Sequence, residues 1–162
     1  MASLSPDLVL HPLGGEDRTL GEQLTLFHLV TVVLDPYTYE SSWLLETAGR
    51  ILTNFKGADC RTAFTVTCDE AGARQFLGPW VDEVMVLCDP DRTFVKGLGL
   101  KELPAFVHIA HDASVMGQAE GWEPETWRPI AENLADMMSW SRPVIPRTGD
   151  PVPYEGTPAL SS

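Results

Sequence analysis

The sequence has little of the chemistry on which common enzyme sites and nucleic-acid interfaces depend. Its 162 residues include three cysteines, four histidines and 11 Lys or Arg residues, against 23 Asp or Glu residues. The basic residues are scattered singly, and the net charge of -12 repels nucleic-acid phosphates and anionic lipid alike. We therefore expect no nucleic acid as a partner and no binding to a membrane surface.

Long apolar runs are also missing. The longest, Leu29 to Leu34, is far shorter than the ~20 residues that a bilayer requires, so we expect no membrane insertion. The first ten residues lack the basic region and apolar core of a secretory signal. An odd number of cysteines suits a reducing compartment better than a disulfide scaffold. Together these features predict a cytoplasmic protein.

The most informative stretch of the chain is residues 27–43. Residues 27–34 are almost continuously apolar and rich in β-branched side chains, which predicts a strand buried on both faces of a sheet. From Trp43 onward, apolar residues recur at helical spacing and predict a helix that covers the sheet. Ligands of α/β sheets bind at the carboxyl ends of strands, so the turn between strand and helix is the first place to look for a site.

The rest of the chain predicts further strands and helices in alternation. We expect an N-terminal strand, then two strand and helix units, a β-hairpin and a final helix that starts at Pro129. The predicted strands are residues 8–13, 63–68, 84–88, 105–110 and 115–120. This order is typical of an α/β fold.

The composition changes after residue 140. Residues 141–162 hold five prolines and two glycines and show no apolar period, so the segment cannot fold alone. We assign residues 1–140 to one domain and residues 141–162 to a proline-rich, flexible C-terminal tail. Two alternatives for the tail are a segment lying on the surface of the domain and a strip that binds a partner.

The predicted order of elements resembles the thioredoxin superfamily, and within it the redoxin branch of thiol peroxidases and TlpA-like reductases. The resemblance covers about residues 8–139 and implies a three-layer α/β/α sandwich with a mixed central sheet and an N-terminal strand extension. It also implies a cis peptide between Leu103 and Pro104. The segments that carry it are Leu13-Gly-Gly, Thr19-Leu20, Thr67-Cys-Asp69, Leu87-Cys-Asp-Pro90 and Gly99 to Ile109.

The sequence departs from that family at the turn where its chemistry takes place. Thioredoxins place Cys-x-x-Cys there and peroxiredoxins place Thr-x-x-Cys, whereas this chain has Thr38-Tyr-Glu-Ser41. Thiol exchange needs a thiolate, so a serine cannot replace the reactive cysteine. A serine nucleophile would need a neighbouring base, and the sequence indicates none, so we favour a structural role for Ser41 at the start of the helix.

The cysteines and histidines give weaker hypotheses. Cys68 and Cys88 each end a strand, and the resemblance implies that these strands are neighbours. Their sulfurs could then pair or hold a metal, but we favour the inert alternative because buried cysteines are commonly small apolar residues without a reaction. Cys60, in a polar stretch, is the one we expect to be exposed. His108 and His111 point to opposite faces if both lie on a strand, so we expect no metal site and no cofactor.

We therefore expect a protein-binding or assembly module with no catalytic residues. The resemblance implies a shallow groove between the turn and the cis proline, in which a partner strand would pair with Leu103. The residues expected to bind are Tyr37, Thr38, Tyr39, Ser41, Trp43, Leu103 and Pro104. The alternatives are an atypical thiol oxidoreductase that uses Cys60, Cys68 or Cys88, and a hydrolase or transferase in which Ser41 or a histidine reacts.

Overall fold

The structure, a computed structural model, describes residues 3–160. The strands are β1 (Val9–Pro12), β2 (Arg18–Thr19), β3 (His28–Leu34), β4 (Cys60–Val66), β5 (Met85–Cys88), β6 (Glu102–Leu103), β7 (Ala105–Ile109), β8 (Val115–Glu120) and β9 (Thr157–Pro158). The α-helices are α1 (Leu20–Gln23), α2 (Tyr39–Asn54), α3 (Glu70–Leu77), α4 (Thr93–Leu98) and α5 (Pro124–Met138), and a 3-10 helix spans Gly78–Asp82. Within the described range, no helix is both long and apolar enough to span a membrane.

The strand predicted from residues 27–34 is β3, an interior strand of a seven-stranded sheet ordered β2-β1-β5-β4-β3-β7-β8. Strands β3, β4 and β5 are parallel to one another. The hairpin of β7 and β8 adds antiparallel strands on one side, and β1 pairs antiparallel with β5 on the other. The mixed sheet and its N-terminal strand extension agree with the prediction.

Alternate residues of β3 face two separate cores. Val30, Val32 and Leu34 pack with side chains of α2, α3 and α5 on one face of the sheet. Leu29 and Val33 pack with side chains of α1 and α4 on the other face. Because helices cover both faces, every residue of β3 is buried, and the predicted three-layer α/β/α fold is confirmed.

The parallel strands end together. Val66 is in register with both Leu34 and Cys88, so the residues that follow each strand meet at one edge of the sheet. The Asp89 carboxylate there accepts the N–H groups of Phe94 and Val95 at 3.1 and 3.0 Å, which satisfies backbone donors in the first turn of α4.

The last helix starts earlier than predicted. It begins at Pro124, where a proline fits the first turn, and continues through Pro129 to Met138. Pro129 removes one helical hydrogen bond, a cost of about 3 kcal/mol. Burial of Trp127, Ile130 and Leu134 on the same helix offsets this cost, since each large apolar side chain contributes roughly 1.5–3 kcal/mol.

Residues 141–160 lie against the domain in the structure, the arrangement given above as a segment on its surface. Ile145 is 4% exposed and Ala159 is fully buried. Asp150 forms an ion pair of 2.7 Å with Arg50 of α2, and the two side chains are 7% and 16% exposed. The segment has no apolar period because it forms no core of its own; it packs instead on a surface that the domain supplies.

Candidate binding site

The turn between β3 and α2 is held together by short polar side chains. The Asp35 N–H donates to Ser41 Oγ at 3.1 Å, and Thr38 Oγ1 donates to the Asp35 carbonyl at 2.9 Å. The two hydroxyls of Thr38 and Ser41 are themselves 3.0 Å apart. Ser41 is 1% exposed, and these contacts join it to the turn and not to a histidine or a carboxylate. Its position therefore suits a structural role rather than that of a nucleophile.

The Asp35 carboxylate connects this turn to two distant parts of the chain. Its Oδ1 accepts hydrogen bonds from the Tyr37 N–H at 3.0 Å and from Thr67 Oγ1 at 3.2 Å. Its Oδ2 lies 3.2 Å from a guanidinium nitrogen of Arg92. The other terminal nitrogen of Arg92 donates to the Ala159 carbonyl. Arg92 thus joins the turn to the C-terminal segment.

Three large aromatic side chains around the turn remain exposed. Tyr37 is 75% exposed, Tyr39 is 84% exposed and Trp43 is 58% exposed. The Trp43 ring meets the ring of Tyr154 edge to face, with 6.0 Å between their centres. The Tyr154 hydroxyl donates to the Glu40 carbonyl at 2.7 Å. Burial and then the charge of Glu40 raise the pKa of Tyr154, so this hydroxyl stays protonated.

The expected groove residues on the far side of the site are already paired. The Leu103–Pro104 peptide is cis. Strand β6, which ends at Leu103, pairs antiparallel with β9, placing Leu103 opposite Thr157 and Glu102 opposite Pro158. Leu103 was expected to offer its backbone to a partner strand, and in the structure the chain's own C-terminal segment takes that place.

Of the three cysteines, Cys68 lines a cavity with Pro36 and Tyr37 of the turn, and all three thiols have raised pKa values. Burial, followed by the nearby Asp59, raises the pKa of Cys60 to about 11. Burial, followed by Cys88, raises the pKa of Cys68 to about 12, and burial, followed by Glu70, raises that of Cys88 to about 11. A thiol with so high a pKa carries almost no thiolate at neutral pH. Cys60, at the start of β4, is half-buried whereas Cys68 and Cys88 are buried, so Cys60 is the most exposed of the three.

Three of the four histidines form a cluster at the opposite end of the sheet. His28 Nδ1 lies 2.8 Å from His108 Nε2, and the ring of His111 meets that of His28 edge to face at 4.7 Å. Burial and then His28 lower the pKa of His108 to about 4. In the part of the chain that the structure describes, no three His, Cys, Asp or Glu residues are arranged to hold a metal ion.

Sequence reasoning missed Arg92, Tyr154 and Asp150, which connect the site to the C-terminal segment. Arg92 appeared only as one of several scattered basic residues. The backbone of Arg92 is left-handed, with φ at 59°, which is uncommon for a residue other than glycine. Nothing in the sequence predicts this conformation. Tyr154 had one sequence signal, since it is the only large aromatic residue after Trp140.

Comparison with solved structures gives several similar folds, each with low sequence identity. A protein of Chlorobium tepidum assigned as the thiol:disulfide interchange protein DsbE has a TM-score of 0.68 and 17% identity, over 84% of this chain and 96% of that one. DsbF of Mycobacterium tuberculosis has a TM-score of 0.63 and 14% identity, over 85% of this chain and 98% of that one.

A mutant of Xylella fastidiosa PrxQ has a TM-score of 0.67 and 14% identity, over 84% of this chain and 94% of that one. No family model matches the sequence, and no curated protein is similar to it in sequence. The likeness therefore concerns the fold, which agrees with the resemblance seen in the sequence. The chain has a thioredoxin-like fold.

Proposed function

We propose that this protein is a non-catalytic thioredoxin-like module that binds a protein partner through the aromatic surface around the β3–α2 turn. This aromatic surface consists of Tyr37, Tyr39 and Trp43. The observation that carries the proposal is that all three rings are exposed beside a turn whose polar groups are hydrogen-bonded internally. Aromatic side chains are enriched in protein interfaces and are common among their energetic hot spots.

The chemistry of the turn supports binding rather than catalysis. Where the redoxins carry a reactive thiol, Ser41 bonds to the backbone of Asp35. The three thiols have raised pKa values, which disfavours the alternative of an atypical thiol oxidoreductase. The three free thiols also support a reducing compartment, so a cytoplasmic location belongs to this proposal.

Affinity capture from the native cell tests the proposal. Wild-type protein is compared with a Tyr37→Ala/Tyr39→Ala double variant, and partners are identified by mass spectrometry. Truncating a hot-spot aromatic costs about 2 kcal/mol, so losing two of them should remove a partner of moderate affinity. The melting temperature must be unchanged, as expected for two exposed side chains.

Leu26→Ala is the matched control, because Leu26 is an apolar residue 72% exposed that lies just before β3, at the other end of the sheet. We expect this variant to recover the same partners as the wild type. Undiminished recovery with the double variant would place the binding surface elsewhere and contradict the proposal.

A further inference from the structure

The C-terminal segment makes the contacts of a bound extended peptide. We call residues 154–159 the tail strand. Strand β9, within it, pairs with β6 to form a separate two-stranded sheet, and the Ala159 N–H donates to the Lys101 carbonyl at 2.9 Å. At the start of the tail strand, the backbones of Tyr154 and Trp122 form two hydrogen bonds with each other, of 2.9 and 3.0 Å. Pairing of an extended segment with the exposed backbone of another strand is a common mode of peptide recognition.

The fit is closest at Gly156. A Cβ atom at this position would lie 2.7 Å from the Leu103 carbonyl oxygen and 2.8 Å from the Glu102 Cβ. Part of this obstacle is backbone, which cannot rotate away as the end of a long side chain can. The site therefore requires glycine at this point of the tail strand.

The contacts at both ends of the tail strand also restrict which residues fit there. At its start, the Tyr154 hydroxyl donates to the Glu40 carbonyl beside the aromatic surface. At its end, the Ala159 side chain is fully buried and the Ala159 carbonyl accepts from Arg92. The site thus selects a tyrosine, a glycine two residues later and a small residue three positions after that.

Residues 154–159 are held by hydrogen bonds and by the buried Ala159, and the structure gives these six residues no ion pair. The ladder between β9 and β6 is two residues long, and Val152, just before the tail strand, is 80% exposed. The stronger anchor lies upstream, where Asp150 accepts from Thr47 at 2.9 Å and from Arg50 at 2.7 Å. The tail strand can leave while Asp150 stays bound, and this tether keeps its local concentration near the millimolar range.

We propose that the groove along β6 is a peptide-binding site whose resident ligand is the tail strand, and that an extended segment of a protein partner with the same Tyr-x-Gly-x-x-Ala pattern displaces it. This inference rests on the proposed function, since it adds a second contact for the same partner. The tail strand then acts as an internal competitor. Because the tail strand is tethered, a partner displaces it only if the partner also gains contacts elsewhere, for example on the aromatic surface.

A labelled peptide of residues 153–160 is the probe, and its binding is followed by fluorescence anisotropy. The full-length Gly156→Val variant cannot seat its own tail strand, so we expect it to bind the wild-type peptide. The wild-type chain should bind the same peptide at least about tenfold more weakly, because its groove is occupied. Circular dichroism establishes that the variant is folded.

A second form of the protein exposes the groove without the Gly156→Val substitution. A protease site inserted between Val152 and Pro153 lets the folded full chain be cut, which frees the tail strand but leaves Asp150 in place. The cut protein should also bind the peptide. Two altered peptides serve as comparisons: Gly156→Val should bind about tenfold more weakly or not at all. Glu155→Gln, at an exposed position, should bind like the wild type.

Three results would overturn the inference. The first is no peptide binding by either the cut protein or the Gly156→Val chain, which would make the tail strand a fixed part of the fold. The second is equal binding of the Gly156→Val peptide. The third is a dimer that exchanges tail strands but ignores free peptide, which would make the occupant a second copy of the chain. None of these assays involves Tyr37 or Tyr39. A negative result here therefore contradicts this inference without contradicting the proposed function, which the capture experiment tests.

Discussion

Arg92 and Asp35, 57 positions apart in sequence, form an ion pair of 3.2 Å at the carboxyl edge of the sheet. Their side chains are 11% and 8% exposed, so both charges are largely removed from water. Arg92 also donates to the Ala159 carbonyl, which makes the pair a junction between the turn and the tail strand.

We expect Arg92→Ala to destabilise the protein by about 3 kcal/mol, because it leaves the buried Asp35 carboxylate without its cation. Urea unfolding measures the change in the free energy of unfolding. Arg142→Ala is the matched control, since Arg142 forms ion pairs at the surface with 54% of its side chain exposed, and it should have no measurable effect. A loss no larger than that of the control would show that the Arg92–Asp35 pair is not a structural junction.

The tail should contribute substantially to stability through Asp150. Its carboxylate accepts from Thr47, Arg50 and the Arg147 N–H, at 2.9, 2.7 and 2.7 Å. Asp150→Ala leaves the mostly buried Arg50 guanidinium without a counter-ion, and we expect a loss of about 2–3 kcal/mol on urea unfolding. Glu155→Ala, a change of an exposed acid in the same segment, should leave stability unchanged. Equal stability of both variants would favour a loosely attached tail.

The native thiols should react slowly. Because burial raises the pKa values of Cys60, Cys68 and Cys88 to about 11, 12 and 11, all three remain thiols at pH 8. A coloured disulfide reagent should therefore label them slowly in native protein and label all three quickly in denaturant. We also expect no turnover of a model disulfide or of hydrogen peroxide above buffer. One fast thiol, together with turnover that a single cysteine replacement abolishes, would identify a thiol enzyme.

The buried pair of His28 and His108 should make the protein less stable in mild acid. The pKa of His108 is lowered to about 4, whereas an unfolded histidine titrates near pH 6.5. The unfolded chain therefore takes up this proton first, and stability is present above pH 6.5 and is lost as the pH falls towards 4. By pH 4 the loss from His108 should be roughly 3 kcal/mol.

Urea unfolding at pH 7 and pH 5 measures this effect. His108→Gln should be less stable at pH 7 but should show a smaller decrease between the two pH values. His11→Gln is the control, because His11 is 42% exposed and pairs with Asp17 outside the cluster. If His108→Gln and the wild type lose the same free energy on acidification, another group, such as His28 or Asp112 beside the pair, is responsible.

Much of the fold was predictable because its elements have local signals. The continuous apolar run of β3 indicates burial on both faces, and the hairpin was predicted at residues 105–110 and 115–120, close to the observed Ala105–Ile109 and Val115–Glu120. Boundaries were less predictable: the strand predicted at residues 63–68 is Cys60–Val66, and the start of α5 depended on whether the burial of Trp127 outweighs the missing donor of Pro129. That balance involves the whole core and cannot be read from the local pattern.

The sequence by itself determined the order of strands and helices, the polar turn after β3 and the absence of cysteine from it, since each is a property of neighbouring residues. Only the tertiary structure decided what occupies the groove. The Tyr154 hydroxyl meets the Glu40 carbonyl across 114 positions, and Thr157 meets Leu103 across 54. A proline-rich segment carries no periodic signal for such contacts, because its partners are single backbone groups on a surface that exists only once the domain has folded.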